Sequence, residues 1–443
     1  MNEITDRGPQ PPTRRAFLGA SAALGLAGPG LARPSLELLR EAQSGTSAEG
    51  GPPALVVVYL RGGADMLNML IPRREATYAL ARPGIGIGEE QGRIALDDDW
   101  ALHPALAPLA PLYKEGLLAP IVNVGSPHTT RSHFDAQDFM EFAAPGNRSV
   151  RSGWLNRYLE LTSRERAKRR RKGPAETEFR ALGMQGLLPR SLRGDYPVLA
   201  VPGDAGSKES NAALNRFEKF YGAGGQAAGQ ETGMDGRSEE GDEGGSAVVK
   251  SGKVTIETLR RLQEILGAGE QVDYGFPSSG FGRGLARIGQ VLASGEGLEV
   301  AGIDIGGWDH HANQGGTDGR HAQMLGDLAQ SMAAFALQQS GRLDRTALLV
   351  MSEFGRTVNE NGSDGTDHGH GGGMLLLGGG VRGGHVLGEW RGLRSDQLYQ
   401  GRDLPVTTDF RDVFAEVLRS LFDFKTPKDF FPDYRPGRLD LFS

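Results

Sequence analysis

The sequence predicts an α/β fold with a mostly parallel sheet, and three observations carry that prediction. Apolar, β-branched runs recur along the chain, helix-like segments lie between several of them, and clusters of Asp, His and Gly follow the runs directly. A strand covered on both faces reads as a continuous apolar run, because neither face has to alternate toward water. Strands alternating with helices then favour parallel pairing.

Taken in order, the first run covers residues 54–60 (ALVVVYL) and opens the folded part. Further runs cover 118–124, 196–201, 298–305, 346–351 and 374–377. Helices are expected over 134–142, 254–266, 319–339 and 409–422, the last announced by a Thr/Asp cap signal and apolar residues at helical spacing. The basic stretch 164–172 (RERAKRRRK) reads as a solvated loop or helix end, with an anionic partner or membrane surface as the alternative. Residues 222–245, rich in Gly, Gln and Glu, hold almost no apolar side chains, so a disordered insertion is expected at about 222–250.

The first residues read as an address. Thr13-Arg14-Arg15-Ala16-Phe17-Leu18 has the form of a twin-arginine export signal. The segment 19–27 is too short and too rich in Gly and Ala for a membrane span, and Gly30-Leu31-Ala32 offers a small-x-small cleavage site. The expected organisation is a signal peptide at 1–32, a linker at 33–53 and a single domain at 54–443. The twin-arginine export machinery is the implied first partner, and the mature protein is expected in the periplasm or outside the cell, with no stable membrane span.

Composition narrows the chemistry. The chain has 443 residues, 38% of them hydrophobic, enough to bury a sizeable core. Its net charge of -6 argues against a duplex nucleic-acid binder. It has no cysteine, so any metal must be held by His, Asp, Glu or backbone oxygen.

Six of the 9 histidines lie in three short segments: His128 with His133, His310 with His311, and His368 with His370. Each segment follows an expected strand, where ligands of open α/β sheets gather. Four clusters define the candidate site. Asp65 and Asn68 follow the first strand on a Gly-rich turn (RGGADMLN). Ser132, in RSHFDAQ, stands at a helix start, where free backbone N–H groups stabilise an anion; with Asp135 it also reads as a helix cap. Asp309 and His311, in GGWDHHANQ, point the same way if the loop is extended. Glu353 and Arg356 end one strand, while Asp367, His368 and His370 precede the next. Carboxylates and imidazoles together suit a divalent ion, and a guanidinium beside them suits an anion or simply a carboxylate partner.

These motifs together resemble an exported bacterial family of unknown function, domain-of-unknown-function family 1501, grouped with the alkaline phosphatase and sulfatase superfamily. The matching residues are the twin-arginine signal, 61–68, 131–137, 306–314, 351–357, 365–372 and GRDLPVTTDFRDV at 401–413. The resemblance implies an alkaline phosphatase/sulfatase-like sheet sandwiched by helices, with two divalent ions at the strand ends. It implies zinc, with calcium or manganese as alternatives. It makes Asp65 a bridging ligand, Ser132 the nucleophile, and Asp309 with His311 ligands of one ion. Arg356 and Asn68 would hold the substrate's non-bridging oxygens. Two alignments remain for the last ligands: Asp367-His368 as one element, or Glu353 in the acidic position with His368 or His370 as the terminal histidine. The implied activity is metal-dependent hydrolysis of an anionic ester, phosphate or sulfate. The competing reading is a non-catalytic secreted binding or assembly protein, with an exported protein as partner, on a degenerate hydrolase scaffold.

Overall fold

A run of seven apolar residues with no polar alternation needs cover on both faces, and the fold supplies it. In the computed structural model, which describes residues 51–169, 180–202, 257–267 and 272–443, β1 (Ala54–Arg61) is buried along its whole apolar length. Beside it lie β2 (Leu118–Gly125), β3 (Ala181–Gly183), β4 (Leu199–Ala200), β5 (Val300–Gly306), β6 (Thr346–Met351), β7 (Gly372–Gly378) and β8 (Thr408–Asp409). They form an 8-stranded sheet in the order β8-β2-β7-β6-β1-β5-β3-β4. β1 pairs in parallel with both β5 and β6, placing Leu55 opposite Val300 and Ala347. β7 is the exception and runs antiparallel to both β6 and β2. A second sheet of 3 short strands, Leu70–Pro72, Trp100–Leu102 and Ile94–Ala95, packs near the end of β1.

Alternate residues of β1 enter different cores. Val56, Val58 and Leu60 pack with Leu285 and Ile288 of α3 (Gly280–Ala293) and with Leu325, Leu328 and Met332 of α4 (Gly319–Gln338). Leu55, Val57 and Tyr59 face Trp154 and Tyr158 of α2 (Trp154–Arg169) and Phe410 and Phe414 of α5 (Phe410–Phe422). Trp154 stacks on Phe414 with ring centroids 4.1 Å apart. α1 (His133–Glu141) adds Met140 to that second layer. The sheet is thus flanked by helices, and the period-2 geometry of a strand decides which residue meets which helix.

Several elements differ from the sequence expectation. The run at 196–201 shrinks to Leu199–Ala200, because Pro197 has no N–H for a ladder and Asn156 takes the backbone of Tyr196 instead. The basic stretch at 164–172 is, as far as Arg169, the end of α2. α3 was not anticipated, since its glycines lower helix propensity. The lack of a side chain brings this helix close to the sheet: a Cβ at Gly284 would lie 2.6 Å from Ile303 Cδ1. α5 begins as its cap signal indicates, with the Asp409 side chain accepting from Arg411 N at 2.9 Å. The expected export signal, nearly all of the expected linker and the insertion expected at about 222–250 lie outside the described residues. Among the described residues no helix is long and apolar enough to cross a membrane.

Behind the strand-end loops sits a buried ion pair. Arg82, 1% exposed, donates to both oxygens of Asp65 at 2.6 and 3.0 Å. It also donates to Asn68 Oδ1, Val358 O and Thr357 O. Burial alone would raise the Asp65 pKa, but the charge and hydrogen bonds of Arg82, helped by Gln314, hold it below the usual carboxylate range. Removing Arg82 leaves a buried carboxylate unpaired. Arg82→Met should therefore destabilise the fold by about 3–5 kcal/mol in urea unfolding, and adding Asp65→Leu should recover part of that loss.

Candidate metal centre

The parallel strands all end at one edge of the sheet, and because β7 runs the opposite way its N-terminal end lies there too. The loops after β1, β2, β5 and β6 and the loop before β7 therefore meet. Asp309, three residues beyond β5, is their common point. Its Oδ1 lies 3.0 Å from His311 Nε2 and 3.2 Å from His368 Nε2, and its Oδ2 lies 3.3 Å from His133 Nε2. His133, Asp309 and His368 each offer one ligand atom within 4.8 Å of the others. His311 joins them, its Nε2 being 2.9 Å from His368 Nε2.

The hydrogen bonds behind the rings fix what each nitrogen presents. His368 Nδ1 is 2.8 Å from the carbonyl oxygen of Arg131, which only accepts, so Nδ1 carries the proton. His133 Nδ1 likewise donates to Glu353 Oε1 at 2.8 Å, and His311 Nδ1 to Asp367 Oδ1 at 2.9 Å. With Nδ1 committed in this way, a neutral ring turns its Nε2 lone pair toward the Asp309 carboxylate, itself an acceptor. His133 Nε2 is buried with no hydrogen-bond partner. Three imidazole lone pairs and a carboxylate repel one another when nothing lies between them. One proton satisfies one pair, whereas a divalent ion can satisfy His133, Asp309 and His368 together. The residues therefore fit a metal, and the oxygen acceptor behind each ring is the usual outer partner of a metal-ligating histidine. Three imidazoles and one carboxylate favour zinc over calcium, which takes oxygen ligands.

Electrostatics act differently on each group. Burial works to raise the Asp309 carboxyl, but the hydrogen bond and charge of Arg356 outweigh it and lower the pKa to about 2. The hydrogen bond to Glu353 raises His133 against the opposing effect of burial, making it a stronger base and a stronger ligand. Burial lowers His368 and keeps it neutral near pH 7.

Arg356 holds the loops in place. It donates from Nε to Gly63 O at 2.6 Å, from Nη1 to Thr366 O at 2.9 Å, and from Nη2 to Gly62 O, to Trp308 O at 3.2 Å and to Asp309 Oδ1 at 2.5 Å. One guanidinium thus ties the loop after β1 to those before and after it in space. Gly62 is required here: its φ is +123° and a Cβ would lie 2.6 Å from Asp309 N.

The structure gathers Asp309, His311 and His368 and arranges the other candidates around them. Glu353 is 1% exposed and is held by Gly62 N, Gln137 Nε2 and Ser352 Oγ, so it orients His133 rather than facing the centre. Asp367 does the same for His311. Both alignments of the last ligands thus change: His368 is the inner group, and the two acids stand behind histidines. His370 lies apart, stacked on Tyr399 at 4.3 Å. Asp65 differs from the expectation of a bridging ligand, because Arg82 and Gln314 occupy its oxygens. Asn68 is 0% exposed and bonded to Tyr78, Arg82 and Ile85 O, out of reach of a substrate. Arg356 has its N–H groups committed within the protein. Ser132 is the exposed N-cap of α1, yet its hydroxyl makes no capping hydrogen bond. His133, named in a histidine segment but not placed among the candidate ligands, joins the candidate set; its sequence signal is a histidine at a helix start in the loop that follows a buried strand.

Beside the centre lies a buried imidazole pair. His310 and His321 are 4% and 0% exposed, their rings 5.5 Å apart, and none of their four ring nitrogens has a hydrogen-bond partner. Burial pushes His321 down to about 3.

Fold and site together define an α/β protein with a metal-type ligand set at its strand ends. Residues 53–428 match a family described as protein of unknown function (DUF1501), and the chain belongs to that family. No curated protein and no solved structure gives a significant match to this chain.

Two outcomes follow. After zinc loading and dialysis, His368→Ala and Asp309→Asn should lose the bound metal measured by elemental analysis. Glu353→Gln should weaken metal affinity by about 10- to 100-fold, and His370→Ala should leave it unchanged. Separately, His321 is neutral when folded and binds a proton more readily when unfolded, so its contribution to stability is complete above about pH 6.5 and is lost as pH falls. His321→Leu should shrink the fall in urea-derived stability between pH 7 and pH 5 by about 2 kcal/mol.

Proposed function

We propose that this chain is an exported, metal-dependent hydrolase of phosphate or sulfate esters on an alkaline phosphatase/sulfatase-like scaffold. The observation that carries the reading is the convergence of three Nδ1-anchored imidazoles on the Asp309 carboxylate. A centre built only to hold a fold is closed by its ligands. Here the Asp309 and His311 side chains remain 43% and 45% exposed, so the centre is open to a ligand from solvent. Its position at the strand ends, with a serine starting the helix after β2, supports the scaffold proposed. The Arg14-Arg15 motif supports export to the periplasm or beyond.

Bound zinc, with manganese as the second candidate, would act as a Lewis acid on the ester and lower the pKa of a coordinated hydroxyl. The chain's own residues divide the remaining work. Asp309, His133 and His368 would hold the ion with His311 at its open side, Glu353 and Asp367 keep two of the rings aimed, and Arg356 fixes the carboxylate. Ser132, whose hydroxyl is exposed and free of a cap bond, would lose its proton to solvent and bond to phosphorus or sulfur as the bond to the alcohol breaks. The alcohol leaves with a proton from solvent, and water then cleaves the serine ester, releasing phosphate or sulfate and restoring the hydroxyl. The first-turn N–H groups of α1 favour the negative charge that develops beside Ser132.

The zinc-loaded mature chain should hydrolyse aryl phosphates or aryl sulfates, chelation should abolish the activity, and Ser132→Ala should lower kcat by about 1000-fold or more. Undiminished turnover in Ser132→Ala removes its proposed role. A full complement of metal with no turnover across the ester panel favours a secreted binding protein instead.

A further inference from the structure

Arg356 is unavailable to a substrate, yet the rim of the centre carries two other guanidiniums. Arg131 Nη2 lies 2.7 Å from Asp403 Oδ2, and Arg402 Nε lies 2.8 Å from Asp403 Oδ1. Asp403 is 0% exposed and its backbone is bridged to both Thr357 and Tyr399, so this carboxylate is a fixed post. Gln400, in the left-handed region with φ +55°, accepts from Arg131 Nη2 at 3.1 Å. Both arginines also touch His368: the Arg131 carbonyl takes its Nδ1 proton, and Arg402 Nη2 donates to its backbone oxygen. They therefore flank an inner group of the centre from two sides.

Two observations show that the pair has bonding capacity left over. One buried carboxylate balances two guanidiniums, leaving one positive charge uncompensated within the trio. Arg131 Nε, moreover, is a buried donor with no partner. Buried donors are normally satisfied, and a guanidinium presents its donors in the planar fork that fits an oxyanion.

We propose that Arg131 and Arg402, held apart by Asp403, form an anion subsite that takes the charged oxygens of a phosphate or sulfate group presented to the metal centre. The inference rests on the hydrolase reading for the identity of the ligand, but the pair can bind oxyanion whether or not turnover occurs. It moves anion recognition from Arg356 and Asn68 to the loops that begin α1 and precede β8. Ser132 stands next to Arg131 in the chain, so nucleophile and anion clamp share one turn.

The test is calorimetric titration of orthophosphate and of sulfate into the full mature chain, zinc-loaded and metal-free, at low ionic strength. Arg131→Gln and Arg402→Gln should each weaken binding by about tenfold or more, with metal content unchanged. Arg131→Lys keeps the Asp403 pair but deletes the buried Nε donor, so it should fold normally and still bind several-fold more weakly. Arg382→Gln, at an exposed site elsewhere, should bind as wild type. Unchanged affinity in the Arg131 and Arg402 variants, or no measurable affinity in any form, overturns the subsite. Arginine-dependent binding in a protein that takes up no zinc would uphold it while removing the metal-hydrolase reading. Preference between the two probes separates phosphate from sulfate as the ligand group.

Discussion

Like-natured atoms facing one another govern this site. Three imidazole Nε2 atoms and one carboxylate converge, and each ring donates a hydrogen bond from Nδ1–H to an oxygen acceptor behind it. Lone pairs and a carboxylate held this close repel one another, and a cation among them would relieve that repulsion. The surrounding structure can be understood as what is needed to hold that arrangement. Glu353 and Asp367 stop two rings from turning, the Arg131 carbonyl stops the third, and Arg356 pins Asp309 while fastening the loops to one another.

The sheet makes this convergence possible. Parallel strands deliver their following loops to the same edge, and reversing β7 lets the loop before it join them. Asp65 and Arg82 take a different part. Their buried pair, with Asn68, Tyr78 and Gln314, fills the polar interior under the loops and makes the edge a rigid platform. The acids around the centre take two positions: the Asp309 carboxylate faces the histidines, and Glu353 and Asp367 stand behind two of the rings.

Much of this was legible in the chain. The apolar run of β1 foretold a strand covered on both faces, and β6 and β7 were marked the same way. Asp309, His311 and His368 stood out as polar groups directly beside buried runs. What sequence could not convey was the partner of each acid. A buried aspartate after a glycine turn looks the same whether a metal or an arginine faces it, and nothing in Ala81-Arg82-Pro83 marks Arg82 as the counter-ion of Asp65. Glu353 stood at the right strand end, but one side-chain rotation decides whether it meets a cation or the back of His133. Histidine 133 was obscured by the more conspicuous Ser132 beside it. α3 escaped notice because glycine spacing that permits close packing on Ile303 also mimics a loop.

X-ray absorption at the zinc edge tests the central claim most directly, since it reads the ligand shell itself. The arrangement predicts a four-coordinate nitrogen and oxygen shell near roughly 2.0–2.1 Å, with outer-shell scattering from at least two imidazole rings. A shell with no imidazole scattering, or one of waters and carboxylates alone, would contradict the account.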